Sequence, residues 1–499
     1  MSSPLSAVGA KIASGAALML LLKMLERMIG VASMFVLARL LAPADFGLVA
    51  IATSVYALLE LLGAFGLDVV LIRARDPDRE MYDTAWTINL LFYLLCGFAL
   101  VAGAPFAAHY FSEPRLVLVM QLLALAAAFQ GIENIGIVAF RKDLNFGKDF
   151  TLTIAKRLIT TVTVIVLAYT LRSYLALAIG IVLGRALGAA LSYAMHPFRP
   201  RLTLSRWREM LGVSGWLLAN NYLSFAIDHG PRIALGKLVG PAAVGVYTLA
   251  HEITTMVINE FVAAINRAAL PGYAHVSGNA EALRREVTNV LAAIGLIVFP
   301  AAVGLACVAD IALPVLLGEK WAGAAPLLQV LAFAGMLRAL QSNIGAAYLV
   351  RGKPQRITTL LGIQVAVLAL AFGVLFKEHG AMAVAIGHVS AAAILLPLNF
   401  VIVRSEIGFT TRMAAVALAR PALAALVMGI ALRVVVPQTP LNRGGTWTTL
   451  LIEIVVGALC YFASVAALWW MAGKPEGPER MVLLRVRAML NRLRRHAST

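Results

Sequence analysis

Apolar runs of roughly 18 to 25 residues alternate with short, mostly basic connections about fourteen times along the chain, the length a helix needs to cross a bilayer. The runs fall near residues 14–38, 47–71, 84–107, 116–140, 151–171, 174–195, 211–235, 243–267, 287–313, 324–349, 356–376, 379–403, 412–434 and 447–472. Each is predicted to be a membrane-spanning helix, so the expected fold class is all-α and polytopic. No connection is long enough to fold as a separate water-soluble domain.

Composition agrees. With 61% hydrophobic and 13% charged residues in 499, and a mean hydropathy of +0.85, a water-facing surface of ordinary globular composition cannot be assembled. The net charge of +17 would suit a phosphate backbone, but its placement argues otherwise. About 25 Lys and Arg lie in connections on the side of the N-terminus, about 9 on the opposite side and about 8 within the runs. That asymmetry puts both termini in the cytoplasm and leaves no role for nucleic acid. Cys96, Cys307 and Cys460 each sit inside an apolar run, where a thiol acts as a small hydrophobe; neither a disulfide nor a metal site is expected. Met1 to Lys11 lacks the features of a cleaved signal, so the first span is expected to be retained.

Two duplicated segments reveal an internal repeat. Leu37 to Gly47, with Pro43 and Ala44, matches Leu235 to Gly245, with Pro241 and Ala242, 198 residues on. Asn134-Ile135-Gly136 reappears as Asn343-Ile344-Gly345, 209 residues on, and each copy precedes a basic loop. The repeat unit is therefore six spans. An even number keeps both copies in the same orientation, which predicts two parallel six-helix lobes related by a pseudo-two-fold axis along the membrane normal, with a cavity between them. The expected organisation is lobe one over 1–204, lobe two over 205–403, an additional helix pair over 404–473 serving as filler or accessory groove, and a basic tail over 474–499. In that tail Met481, Leu484, Met489 and Leu493 interleave with six arginines, the pattern of an amphipathic helix on an anionic leaflet or against a partner.

Ionisable groups inside spans cost about 2.5 to 3.5 kcal/mol each, so their positions point to function. Lys23 and Arg27 lie four residues apart on one face of the first span, with Glu26 beside them. Counting 1.5 Å per residue from Arg39 puts Arg27 about 18 Å deep, near the middle of the hydrocarbon. Either Glu26 neutralises the pair, or a cation there meets an anionic substrate by charge-assisted hydrogen bonds. Arg185 and Arg338 are further mid-depth cations. Glu60, Asp68, Glu133, Asp228, Glu252 and Glu260 form a carboxylate set whose members either pair with arginine or carry a proton or Na+ during coupling. Glu252 and Glu260 are placed on one face of the eighth span. His388 is read as an interior histidine or a proton relay, Gly230-Pro231 as a hinge or a helix end, and Arg420-Pro421 as a hinge that interrupts its helix. No phosphate-cradling glycine loop, zinc-spaced set, nucleophile elbow or catalytic acidic pair is present, so neither enzyme activity nor a cofactor is expected.

The residues resemble the polysaccharide-transporter branch of the multidrug/oligosaccharidyl-lipid/polysaccharide exporter superfamily. The resemblance rests on Leu37 to Gly47, on Arg141-Lys142-Asp143-Leu144-Asn145-Phe146, on Leu235 to Gly245 with Tyr247, and on Gly318-Glu319-Lys320-Trp321 leading to Pro326. The spacing of Gly318, Trp321, Ala324 and Pro326 is similar to that of colanic-acid-type exporters. It implies a flippase of the bacterial inner membrane that carries a polyprenyl-pyrophosphate-linked oligosaccharide between leaflets by alternating access, with membrane lipids and polysaccharide-assembly proteins as partners. Lys23, Arg27, Arg185 and Arg338 would receive the pyrophosphate. The rivals are a multidrug/cation antiporter of the same superfamily, a lipid II flippase, and a membrane polymerase or ligase.

Overall fold

The computed structural model describes residues 4–63, 66–210, 215–353, 355–435 and 447–474, and every regular element among them is helical. The expected basic tail lies outside the described residues. Contacts divide the chain into two compact units, Met1–Thr248 and Leu249–Thr499.

The first unit contains α1 (Pro4–Leu40), α2 (Pro43–Leu62), α3 (Leu67–Arg73), α4 (Arg79–Phe111), α5 (Leu116–Gly131), a 3-10 turn (Ile135–Ile137), α6 (Val138–Lys142), α7 (Phe146–Leu171) and α8 (Tyr174–Met195). After an extended strap come α9 (Trp207–Met210), α10 (Gly215–Asp228), α11 (Gly230–Leu238) and most of α12 (Pro241–Thr254). Helix α4 packs on α5, α7 on α8, α1 along α7 and α5 along α8. In the second unit a π-helical stretch (Thr255–Asn259) leads to α13 (Glu260–His275), α14 (Ala280–Leu317), α15 (Ala325–Val350), α16 (Gln355–His379), α17 (Met382–Ile407), α18 (Thr411–Ile430) and α19 (Trp447–Met471).

Among the described residues ten helices are long and apolar enough to cross a membrane, or eleven when the bent pair α5 and 135–142 counts as one span. Physical interruptions explain why the other expected spans fall outside that number. The run at 14–38 lies in α1, whose middle carries Lys23, Glu26 and Arg27. The run at 211–235 is divided between α10 and α11, and the run at 243–267 is interrupted by the π-helical stretch. The run at 47–71 also ends early: α2 stops at Gly63, and Gly66 enters α3 with φ +63°, a conformation that costs glycine least. Helix α18 continues through Pro421, which therefore ends nothing; the change of winding comes ten residues later, in the π-helical turn Ala431–Val435.

The duplicated turns pack on each other inside the first unit. A β-carbon on Gly47 would collide with the Pro241 carbonyl, and one on Gly245 with the Pro43 carbonyl. Each copy thus presents a glycine to the other copy's proline carbonyl, a reciprocal contact of the kind small residues permit between membrane helices. The copies differ in how they start their helices. In the first, Asp45 accepts from the Ala42 N–H at 3.0 Å and from the Tyr174 N–H at 3.1 Å. In the second, Ala243 replaces it and Gly240 makes the turn at φ +105°.

Candidate functional site

The first unit breaks its fourth span at a point where the apolar pattern runs on. Helix α5 ends at Gly131, and residues 135–142 leave at 60° to it. Gly131 lets α5 approach α4 closely, since a β-carbon there would stand 3.0 Å from the Tyr93 β-carbon. Asn134 holds the break: its Oδ1 accepts from the Gly136 N–H at 2.9 Å, and its Nδ2 donates to the carbonyls of His196 (3.2 Å) and Phe198 (2.9 Å). Those carbonyls belong to the strap after α8, which is fastened to α4 by Arg201 N–H on Asp83 (2.8 Å) and Thr203 N–H on Thr87 (3.1 Å). Burial first, and the nearby Lys148 charge second, hold His196 below the usual histidine range. The neutral ring is then free to accept the Phe198 N–H at Nδ1, at 3.2 Å.

Freed from the helix ladder, this break lines a cavity of about 270 Å³ with α3, α4 and α7. Asp68, Glu133, Arg141, Asp149 and Lys156 face it. Four of these five charges are arranged as pairs, Lys156 with Glu133, and Arg141 Nε with both oxygens of Asp149 at 3.1 and 3.2 Å; Asp68 is exposed at the start of α3. A hydrogen-bonded row continues from the cavity wall, with Gln130 donating to the Tyr93 hydroxyl at 2.6 Å and accepting from Tyr56 at 3.4 Å. Glu60 and Arg185 both act electrostatically on the two tyrosines. Two of the expected residues, Glu60 and Arg185, thus lie near the same pair of tyrosines. Lys156 escaped the sequence reading although a lysine inside an apolar run carries the same signal as Lys23.

The other expected residues are dispersed. Glu26 bonds Lys23 at 2.8 Å, and Lys23 is 65% exposed, so this carboxylate is engaged by the outer cation of the trio. Arg27 keeps its Nε and one terminal nitrogen buried. Asp228 is exposed at the end of α10, beside His229, whose Nδ1 lies 3.0 Å from the Ser54 hydroxyl. Glu252 is half-buried on α12 and Glu260 exposed at the start of α13. A π-helical stretch, Thr255–Asn259, lies between them. Arg338 lines a pocket of about 20 Å³ in the second unit, room for a single water, with His251, Thr254, Gln364 and His388. The two imidazoles stand 5.9 Å apart there.

The second unit also carries a groove of about 740 Å³ between α14, α18 and α19. Leu296, Ile297, Leu305, Met428, Ile454 and Phe462 make its wall almost wholly apolar. Glu453 is its one acidic liner, and close to it Arg433 bonds Asp310 at 3.1 Å and the Ala306 carbonyl at 3.0 Å.

Residues 36–326 match a family model described as polysaccharide biosynthesis protein. Among curated proteins, the lipopolysaccharide biosynthesis protein WzxC of Escherichia coli (strain K12) is 23% identical over 384 residues, 75% of this chain and 75% of that protein. Among solved structures, the lipid II flippase MurJ in an inward closed conformation superposes with a TM-score of 0.72 at 12% identity, over 91% of this chain and 98% of that one. An inward-facing multidrug resistance MATE family transporter of the MOP superfamily gives 0.57 at 17% identity, over 77% and 96%. The structural likenesses establish the fold.

Proposed function

The chain belongs to the polysaccharide biosynthesis protein family, and from that premise we propose that it moves a polyprenyl-pyrophosphate-linked oligosaccharide, an O-antigen or exopolysaccharide repeat unit, across the bacterial inner membrane by alternating access. The observation that carries this reading is the apolar groove of α14, α18 and α19, whose lining suits an isoprenoid chain. Such a chain gains nothing from a polar cavity. A sugar head, by contrast, would lose several kcal/mol per unpartnered hydroxyl in hydrocarbon, so head and tail need different surroundings.

The pyrophosphate requires cations at depth, and Lys23, Arg27, Arg185 and Arg338 are the groups assigned to it. Relatives' names speak of lipopolysaccharide biosynthesis and lipid II flipping, which supports the lipid-linked substrate class. The task makes and breaks no covalent bond, so the chain acts as a transporter and not as an enzyme. The excess of Lys and Arg on one set of connections supports cytoplasmic termini. Coupling to Na+ or H+ falls to the carboxylates Glu26, Glu60, Asp228, Glu252 and Glu260.

The test is export in cells of Arg27→Ala, Arg338→Ala and Gly304→Phe variants, the last of which fills the groove. Each is expected to reach the membrane in normal amount while surface polysaccharide falls at least tenfold and lipid-linked repeat units accumulate. Undiminished export by all three overturns the reading.

A further inference from the structure

The cavity at the broken fourth span has a chemistry that excludes most ligands in turn. A phosphate would find both of its cations engaged, Lys156 by Glu133 and Arg141 by Asp149. A bare metal ion needs oxygens that converge, yet among the described residues no three acidic, histidine or cysteine side chains could hold one. An isoprenoid chain is rejected by a wall of carboxylates, amides and hydroxyls. Among the remaining classes, the unengaged amide and hydroxyl of the wall favour a neutral molecule that both donates and accepts hydrogen bonds in several directions, which is what a ring of vicinal hydroxyls does.

The unengaged groups of the wall match that requirement. Asn89 on α4 and Thr153 on α7 are half-buried, face the cavity, and have no hydrogen-bond partner among the described residues. Between them they offer an amide donor pair, an amide acceptor and a hydroxyl. The ion pairs beside them keep spare lone pairs on Glu133 and Asp149, and the Asp68 carboxylate adds a further acceptor. At about 270 Å³ the cavity lies just below the ~300 to 1,000 Å³ of pockets that enclose drug-sized ligands, so it admits one sugar ring and no longer chain.

We propose that this cavity is a monosaccharide subsite, holding one neutral pyranose ring of the substrate's oligosaccharide, with Asn89 and Thr153 as the residues that set which sugar is accepted. The assignment rests on the transport reading for the identity of the larger substrate, but its geometry lies within the first unit alone. It gives the protein a means of selecting its cargo by the sugar, separate from the cations that take the pyrophosphate. The pairing of Lys156 with Glu133 and of Arg141 with Asp149 is then a positioning device, holding polar side chains at fixed orientation around an uncharged guest.

The full-length protein in phosphatidylethanolamine/phosphatidylglycerol nanodiscs tests this by saturation-transfer difference NMR. The probes are D-glucose, D-galactose, D-mannose, N-acetyl-D-glucosamine, D-glucuronate and inorganic pyrophosphate, each with and without sodium. At least one neutral sugar is expected to bind in the millimolar range, independently of sodium. Thr153→Val and Asn89→Leu are each expected to weaken it about tenfold, the loss of one good hydrogen bond, with unchanged thermal unfolding. Binding of sugar-free polyprenyl pyrophosphate should be the same in both variants. The proposal is overturned if no neutral sugar binds, if only glucuronate or pyrophosphate does, if binding requires sodium, or if both variants bind as the parent does. Sugar binding that persists while polyprenyl pyrophosphate fails to bind would instead remove the transport reading and leave the subsite standing.

Discussion

Asn134 and Asn343 are two copies of one repeated segment, and the backbone treats them in opposite ways. Asn134 stands at a 60° break; Asn343 lies inside the unbroken α15, fully buried, bonded to the Tyr273 hydroxyl and donating to the Val287 carbonyl at 2.9 Å. The neighbours explain the difference. Gly131 and Glu133 of the first copy are matched by Leu340 and Ser342 of the second. Glycine ends a helix readily and lets α4 come close, while leucine extends the helix and fills the core. Glu133 forms an ion pair with Lys156; Ser342 donates to the Ala339 carbonyl of its own helix at 2.7 Å and accepts from Asn266 of α13 at 2.8 Å. The result is a cavity of about 270 Å³ in one unit and, around Arg338, one of about 20 Å³ in the other. Duplication supplied the frame, and two substitutions beside a shared asparagine decided which copy opens.

The comparison depends on the shared frame, and Gly47→Leu attacks it most severely. The side chain would meet the Pro241 backbone, which cannot yield, so a loss of about 3 kcal/mol or more is expected, seen as loss of the monodisperse peak in size-exclusion chromatography. Next come the asparagines themselves. Asn343→Leu strands the Tyr273 hydroxyl and the Val287 carbonyl in a dry core, for about 2 to 4 kcal/mol. Asn134→Leu frees carbonyls on a half-exposed strap that water can reach, for about 1 kcal/mol. Thermal unfolding of the purified variants should rank them in that order, and equal losses would contradict the contrast. The charges give a further test, and the smallest effect falls at the second copy's Ser342. Lys156→Met leaves Glu133 alone at depth and should cost about 2 kcal/mol, whereas the double variant Lys156→Met/Glu133→Leu should recover most of it, and Ser342→Ala in the matching position should change stability by less than about 0.5 kcal/mol.

Much of the architecture was legible before any coordinate, because bilayer thickness imposes run length and duplication leaves repeated turns. The interruptions were not. Residues 116–140 read as one apolar run, since Gly131, Glu133 and Asn134 are too few to alter its hydropathy, although together they are what bends it. Glu133 stood out as a charge in the wrong medium, but its partner could not be chosen, because helical periodicity orders residues along one helix and says nothing about which neighbour faces them. Arg199 and Arg201 registered as positive charge on a connection, while their backbone contacts with Arg79 and Asp83 depend on an extended path that composition does not specify.

The interlocked glycines at 47 and 245 also carry a consequence for biosynthesis. The ribosome must add 198 residues between them, so the nascent first unit waits about 10 to 40 s for the partner of its own Gly47. A fragment cut at the end of the sixth apolar run, where the repeat in the sequence ends, would leave that surface uncovered, while one reaching residue 248 would have it closed. Truncation series should therefore show protease resistance arriving abruptly near residue 248.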